Sequence, residues 1–321
     1  MDRHYTEPHL KHKFFGLFGS IFWYCSSKLP GRLRWHLGGV LGSALFVLHK
    51  DRKSVVMRNL ELCFPEVSAD ERNRTALETF RYAGRGILSW GFALFARQRR
   101  IHKEVEWHGR ETLNTHLGTG EPLILLCPHF VTPMLTLRSI GELSPVVAMY
   151  EPPKNPIFDM GYHCALTGIQ SSFGWLNFLY RKRGEHEIRM CSSKGSMRPF
   201  FDAMKNGIPF FFLPDQNAKN LKHMVFAPFF GVPAATYTSM SRFIRFRMPR
   251  VFLCFSVIKD GGSGYELHTE LLPEDFFVGD ETEDAQRLNA TVEKLIRRAP
   301  EQYFWLHRRF KARPAGEPPI Y

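Results

Sequence analysis

The stretch Leu123-Ile124-Leu125-Leu126-Cys127-Pro128-His129-Phe130-Val131-Thr132-Pro133-Met134 decides how the rest of the chain is read. Four consecutive aliphatic residues closed by a proline describe a strand covered on both faces, the mark of a parallel sheet. In open α/β sheets ligands bind just beyond the carboxyl ends of such strands. A histidine stands at that place. Its imidazole has an unperturbed pKa near 6.5, which suits a general base. On spacing alone, a histidine that merely caps the strand fits equally well.

Working outward, the same punctuation recurs. Val146 to Tyr150 reads as a strand stopped by Pro152-Pro153-Lys154-Asn155-Pro156, and Ile208 to Leu213 as one stopped by Pro214-Asp215-Gln216-Asn217. Glu104 to Trp107, Arg250 to Ile258 and Tyr265 to Leu271 are further strands, the last following the Gly261-Gly262-Ser263-Gly264 turn. Between them lie helical patterns. Ser54 to Phe64 is closed by Pro65. A helix capped by Ser68, with Asp70 and Glu71 in its first turn, runs to about Phe95, with Gly84 and Gly86 as close-packing points. Further helices are expected at Gly109 to Leu117, Pro133 to Ser139, Ile157 to Leu166, Met197 to Lys205, Ala234 to Phe246 and Glu281 to Arg298. Val225 to Gly231, with its Pro and Gly, reads as loop. Strands alternating with helices predict an α/β fold with a mostly parallel central sheet flanked by helices.

The first fifty residues differ in character. Phe14 to Ser27 is uncharged and aromatic; Leu37 to Leu48 is apolar with small residues. Neither reaches the roughly 18 to 20 apolar residues that a span requires. Lys11 and Lys13 precede them, and Lys50, Arg52 and Lys53 follow. Aromatic segments flanked by cations suit a membrane interface. The division expected is therefore residues 1–50 as a membrane-associated helical hairpin and residues 51–321 as the α/β domain. A buried pair of core helices and a single tilted span are the alternative readings.

The chain of 321 residues carries a formal charge of +12 and 29 phenylalanines. It is long enough for a real core, and its charge points to an anionic partner. No zinc-finger spacing or aromatic RNA-binding motif is present, so nucleic acid is not the expected partner. The six cysteines, Cys25, Cys63, Cys127, Cys164, Cys191 and Cys254, are scattered without a C-x-x-C, which fits a reducing compartment rather than a disulfide framework. His4, His9 and His12 are too loosely spaced for a metal site, and Ser192-Ser193 lacks the Gly-x-Ser-x-Gly setting of a serine hydrolase. Neither a metal nor a cofactor is expected. Arg97 to Lys103 and Arg181-Lys182-Arg183 are basic clusters, and Arg242 and Arg245 share a helical face that suits phosphate or bulk solvent alike.

The series Pro128-His129, Pro152 to Pro156, Pro214-Asp215-Gln216, Phe226-Ala227-Pro228-Phe229-Phe230-Gly231-Val232-Pro233-Ala234 and Pro300-Glu301-Gln302-Tyr303-Phe304-Trp305-Leu306-His307-Arg308-Arg309-Phe310-Lys311 closely resembles the lipid A biosynthesis acyltransferases. These are the late lauroyl- and myristoyl-transferring family within the wider glycerolipid-type acyltransferases. The likeness runs from about Val55 to the C-terminus. It implies a protein attached to the cytoplasmic face of the inner membrane, moving a fatty acyl group from an acyl carrier protein thioester, or from coenzyme A, to a hydroxyl of an anionic lipid A precursor. The family signature is a histidine followed by four residues and an acid. The histidine removes the hydroxyl proton while the carboxylate orients its ring.

This sequence departs from that signature. His129 matches the base, but Met134 stands where the acid belongs, and a thioether cannot orient an imidazole strongly. Glu151 precedes the proline-rich loop, where the resemblance implies that relatives often carry a basic or polar residue. Cys164 to Gly168 lacks the Gly-Arg pair expected there, and Gln216-Asn217-Ala218-Lys219 lacks the second acid and glycine. Three carboxylates could replace the missing one: Glu142, Glu151 and Asp215, the last preferred because it too follows a strand. The candidate site is then His129 with Asp215, with Lys154, Asn155, Arg242, Arg245, Arg308, Arg309 and Lys311 as contacts for phosphate or carrier, and Phe210 to Phe212 with Phe229-Phe230 as lining for an acyl pocket. The alternative is a catalytically inactive paralogue that binds lipid or partners a working acyltransferase.

Overall fold

A computed structural model describes residues 10–167, 177–178, 180, 186–192, 197–218 and 223–321. Arg181-Lys182-Arg183, Ser193, His4 and His9 lie outside the described residues. The chain opens with α1 (Leu10–Lys28), α2 (Gly31–Leu48), α3 (Lys50–Cys63), α4 (Ala69–Phe95) and α5 (Gln98–Glu104). Then follow β1 (Val105–His108), α6 (Arg110–His116), β2 (Leu123–Leu126), α7 (Pro133–Ile140), β3 (Val146–Tyr150), α8 (Pro156–Thr167) and β4 (Ile188–Ser192). The second half holds α9 (Arg198–Lys205), β5 (Phe210–Phe212), β6 (Met224–Phe229), β7 (Val232–Tyr237), α10 (Ser239–Arg247), β8 (Arg250–Ile258), β9 (Tyr265–Leu271) and α11 (Glu281–Arg298).

Seven strands form one sheet in the order β1-β9-β8-β2-β5-β3-β4. Every neighbouring pair is parallel except β8 with β9, which the glycine-rich turn joins as an antiparallel pair. The expected mostly parallel α/β sheet is present. β2 lies at its centre, and its four residues are fully buried. Leu123 and Leu125 enter the core on one face, while Ile124 and Leu126 enter the core on the other. That two-sided burial explains why the strand is uniformly aliphatic.

Two local expectations are corrected. Val225 to Gly231 is not a loop, and the helix expected from Ala234 begins only at Ser239. Instead β6 and β7 form a separate antiparallel hairpin, in register from Met224↔Tyr237 to Phe229↔Val232. Its two-residue turn is Phe230-Gly231, with φ of 51° and 75°. Positive φ at both positions is what a tight hairpin turn demands. Pro228 and Pro233 face each other in this ribbon, which lies outside the main sheet and tolerates prolines that a central strand would not. The edge strand β4, mixed in polarity, carries no signal that the sequence reading detected.

Helix α4 is the axle for the N-terminal helices. Its start is the expected one, with the Ser68 hydroxyl accepting the Glu71 N–H. Along it, Gly84 meets Gly38 and Gly42 of α2 so closely that a Cβ on Gly84 would sit 2.2 Å from the Gly38 carbonyl oxygen. One on Gly86 would sit 2.7 Å from that of Val131. The outer surface of α1 and α2 leaves Phe14, Phe15, Phe18, Phe22, Leu37, Val40, Val47 and Leu48 exposed. No helix among the described residues is long and apolar enough to cross a membrane.

Candidate active site

β2 and β5 are adjacent and parallel, with Leu126 opposite Phe212. Each strand ends there, and His129 and Asp215 stand equally far beyond those paired residues. Equal offsets on neighbouring parallel strands bring the two side chains together at the carboxyl edge of the sheet. The Asp215 carboxylate accepts the His129 main-chain N–H at 2.9 Å through Oδ2, and its Oδ1 lies 2.6 Å from the ring Nδ1. Of the three carboxylates considered, Asp215 is the one hydrogen-bonded to the ring. Glu142 is buried in an ion pair with Arg138, four residues earlier, and Glu151 lies exposed on the cavity wall.

Asp215 is buried, and burial by itself would raise its pKa. Three opposing effects win: the charge on His129, hydrogen bonds from the His129 ring and main chain, and one from the Tyr303 hydroxyl. Together they hold the carboxyl below its ordinary value. Tyr303 is itself pushed far up, first by burial and then by the Asp215 charge, so it stays a phenol and a donor. The ionised carboxylate accepts the hydrogen on Nδ1, so in the neutral form of the ring the lone pair falls on Nε2.

A C-terminal segment clamps this loop from the other side. Phe304 N–H donates to the His129 carbonyl at 2.9 Å, Val131 N–H to the Gln302 carbonyl at 3.0 Å, and Phe130 bridges Tyr303. The Gln302 side chain ties the segment to β8 by accepting from Ile258 N–H and donating to Ile258 O. Asn59 of α3 donates to the carbonyls of Trp305 and His307, and the His307 Nε2 accepts the Asn217 N–H. The sequence singled out Pro300 to Lys311 as a motif. It could not give Gln302, Tyr303 and His307 their tasks, because each acts on a partner far away in the chain.

The His129 ring lines a cavity of about 1340 Å³. Single-ligand pockets run to roughly 300–1,000 Å³, so this one is ample for two substrate limbs. Its walls are mostly apolar: Val131, Met134 and Leu137 beyond β2, Phe211 and Phe212 from β5, Trp90 and Ile87 from α4, and Tyr162 from α8. His49, Arg52, Glu151, His223 and Arg242 add polar groups. Met134 is buried here, a wall residue where the family signature has its acid. Phe211 and Phe212 line the cavity as expected. Phe210, Phe229 and Phe230 belong to the core instead.

The basic residues separate. Arg242 lines the cavity, with Nη2 2.8 Å from His223 Nδ1, and it shares Glu281 with Arg245 of the same helix, at 3.7 Å and 3.3 Å respectively. Lys154, Arg308 and Lys311 are exposed. Asn155 caps α8, its Oδ1 accepting the Ile157 N–H at 3.0 Å. Arg309 is a correction. It is buried, donating to the Ala235 carbonyl at 2.7 Å, to Thr236 Oγ1 at 3.0 Å and to Asn289 Oδ1 at 3.3 Å, so it braces the β6–β7 hairpin rather than facing a surface anion.

The model of the bacterial lipid A biosynthesis acyltransferase family matches residues 4–312. A lipid A biosynthesis palmitoleoyltransferase of Escherichia coli (strain K12) is 30% identical over 322 residues, covering 100% of this chain and 97% of the relative. A lipid A biosynthesis lauroyltransferase of the same organism is 33% identical over 297 residues, 92% of this chain and 90% of the relative. A myristoyltransferase from that organism is 27% identical over 293 residues, 90% and 84% of the two chains.

Proposed function

The chain belongs to the bacterial lipid A biosynthesis acyltransferase family and is an acyltransferase; from that premise we propose that it moves a fatty acyl group from a thioester to a hydroxyl of a lipid A precursor or a related lipid, with His129 as base and Asp215 as its orienter. The observation that carries this reading is the 2.6 Å contact between His129 Nδ1 and Asp215 at the wall of the cavity.

In this mechanism the His129 Nε2 takes the proton of the acceptor hydroxyl as its oxygen attacks the thioester carbonyl carbon. The tetrahedral intermediate collapses with cleavage of the C–S bond. The departing thiolate receives the proton from the imidazolium, which Asp215 stabilises meanwhile. An ester and a free thiol result, and no covalent enzyme intermediate forms. The donor favoured is an acyl carrier protein thioester, because the protein's +12 charge attracts an acidic carrier; acyl-CoA is the second candidate. Arg242 in the cavity and the exposed Lys154, Arg245, Arg308 and Lys311 supply cations for phosphate or carrier.

The test is transfer itself. Purified protein with carrier-bound or coenzyme A-bound acyl donor and lipid A precursor is expected to form acylated product. His129→Ala should lower the rate ~10²–10⁴-fold, the usual contribution of a general base. Equal background rates in wild type and variant would overturn the reading in favour of a lipid-binding paralogue, the role that Met134 suggests.

The exposed aromatic and aliphatic face of α1 and α2, with Lys11 and Lys28 at its rim, supports docking on the cytoplasmic leaflet of the inner membrane. The cavity reaches Leu45, His49 and Arg52 beside these helices, so a lipid substrate need not leave the interface far behind. Flotation with anionic vesicles should fall when Phe14, Phe15 and Phe18 are changed together to Ser. Undiminished flotation would place the contact elsewhere.

A further inference from the structure

The edge of the sheet remote from β4 carries a set of side chains that the acyl-transfer chemistry does not use. β1 and β9 run parallel with Glu106 opposite Glu266 and His108 opposite His268. Side chains alternate along a strand, so these four share one face and form a two-by-two array. Trp107, Tyr265 and Leu267 take the other side and pack into the protein. The two imidazoles stack at 4.7 Å between ring centres and 18° between planes. His268 is held from beneath by the Phe255 ring at 4.8 Å and 11°.

Like charges placed directly across a strand pair are unfavourable, so Glu106 opposite Glu266 needs a neutralising partner. Lys259 supplies one to Glu106, its Nζ 2.8 Å from Oε2. Glu266 has instead the His268 Nε2 at 3.5 Å. The donor atoms of His108, Glu266 and His268 all lie within 4.8 Å of one another. A tetrahedral zinc ion with bonds of about 2.0–2.2 Å wants its ligand atoms ~3.4 Å apart. Reaching that separation requires the half-exposed His108 and Glu266 to turn toward His268, His108 leaving its stacked position, while stacking on Phe255 keeps His268 as the fixed member.

We propose that His108, Glu266 and His268 bind one divalent transition-metal ion of the zinc class, clasping the edge strand β1 to β9. Two imidazoles and a carboxylate are a borderline donor set. It suits Zn²⁺ better than the all-oxygen preference of Mg²⁺ or Ca²⁺. Glu106 holds Lys259 through Oε2 and faces His108 Nε2 from 3.4 Å through Oε1, so the fourth position is open to water or to that oxygen. The ion adds a cross-link between two strands that otherwise meet through four paired residues. It is separate from the His129–Asp215 site, and Phe255 also packs on Phe130, the residue after the base.

The test uses tag-free full-length protein, freed of metal with a chelator and titrated with ZnCl₂ by calorimetry. One ion per chain is expected, with a rise in thermal midpoint. His108→Ala, at an exposed side chain that should not disturb folding, and Glu266→Gln should each weaken binding at least 10-fold and abolish the thermal shift. MgCl₂ should give neither signal. A chain carrying His4→Ala, His9→Ala and His12→Ala should bind as the wild type does. No stoichiometric zinc binding, or binding unchanged in both site variants, would overturn the proposal. Loss of binding in the N-terminal triple variant would do the same, by moving the ion to that stretch.

Discussion

Asp215 grips His129 twice, its Oδ2 on the main-chain N–H and its Oδ1 on the ring Nδ1, so one carboxylate sets both where the imidazole stands and which nitrogen faces outward. Asp215→Asn should preserve the first contact through the amide oxygen and spoil the second, because an amide N–H₂ facing Nδ1 favours the wrong tautomer. In a Ser-His-Asp site the equivalent change lowers kcat about 10⁴-fold. The loss expected here is ~10³–10⁴-fold in kcat, with a folded protein by circular dichroism and little change in KM. A variant within a few-fold of wild type would remove Asp215 from its positioning role.

The same carboxylate links stability to pH. Its folded pKa is depressed below the unfolded value of about 3.9. The resulting stabilisation is therefore complete above that unfolded value and is lost as pH falls through the lower folded value. Urea melts of wild type and Asp215→Asn should differ most near neutrality, and the gap should narrow below about pH 4. A gap that widened on acidification would mean that the carboxyl is protonated in the native state.

Restoring the family acid should not help. Met134→Glu places a carboxylate in an apolar cavity wall, while the Nδ1 it would serve is already held by Asp215. We expect no gain in transfer rate and a loss of stability of ~1–3 kcal/mol from burying a polar group without a partner. Parallel assays and denaturant melts decide this. A ten-fold rise in rate would show that the ring lacks an effective orienter in the wild type.

The glycine seam between α2 and α4 has a structural test. Gly84→Ala drives a Cβ into the Gly38 carbonyl, and both neighbours there are backbone, which cannot swing aside. Overpacking of this kind costs ~1–3 kcal/mol, and denaturant melts should show it. An unchanged midpoint would mean that α2 shifts freely on α4.

How much of this was legible beforehand depends on how local each signal is. Proline after an apolar run marked the ends of β2 and β5, and with them the places of His129 and Asp215. A hydroxyl followed by two acids marked the start of α4. Periodicity gave α11 with its observed bounds, because eighteen residues of strong amphipathic pattern leave little freedom. The β6–β7 hairpin was hidden, since Pro228 and Pro233 read as breakers when no main-sheet strand could hold them. Arg309 reads as one more cation in a basic tail. Only the folded chain shows that Thr236 and Asn289 wait for it in the interior. The partnership of Asp215 with Tyr303 was likewise beyond reach, for no spacing rule connects them.

The clamp that Gln302 to Phe304 places on the His129 loop has a bearing on biosynthesis. A ribosome that has finished β2 and its histidine has yet to make the piece that seats them. The His129 loop therefore takes its full set of main-chain contacts only once that later segment has been made and has docked.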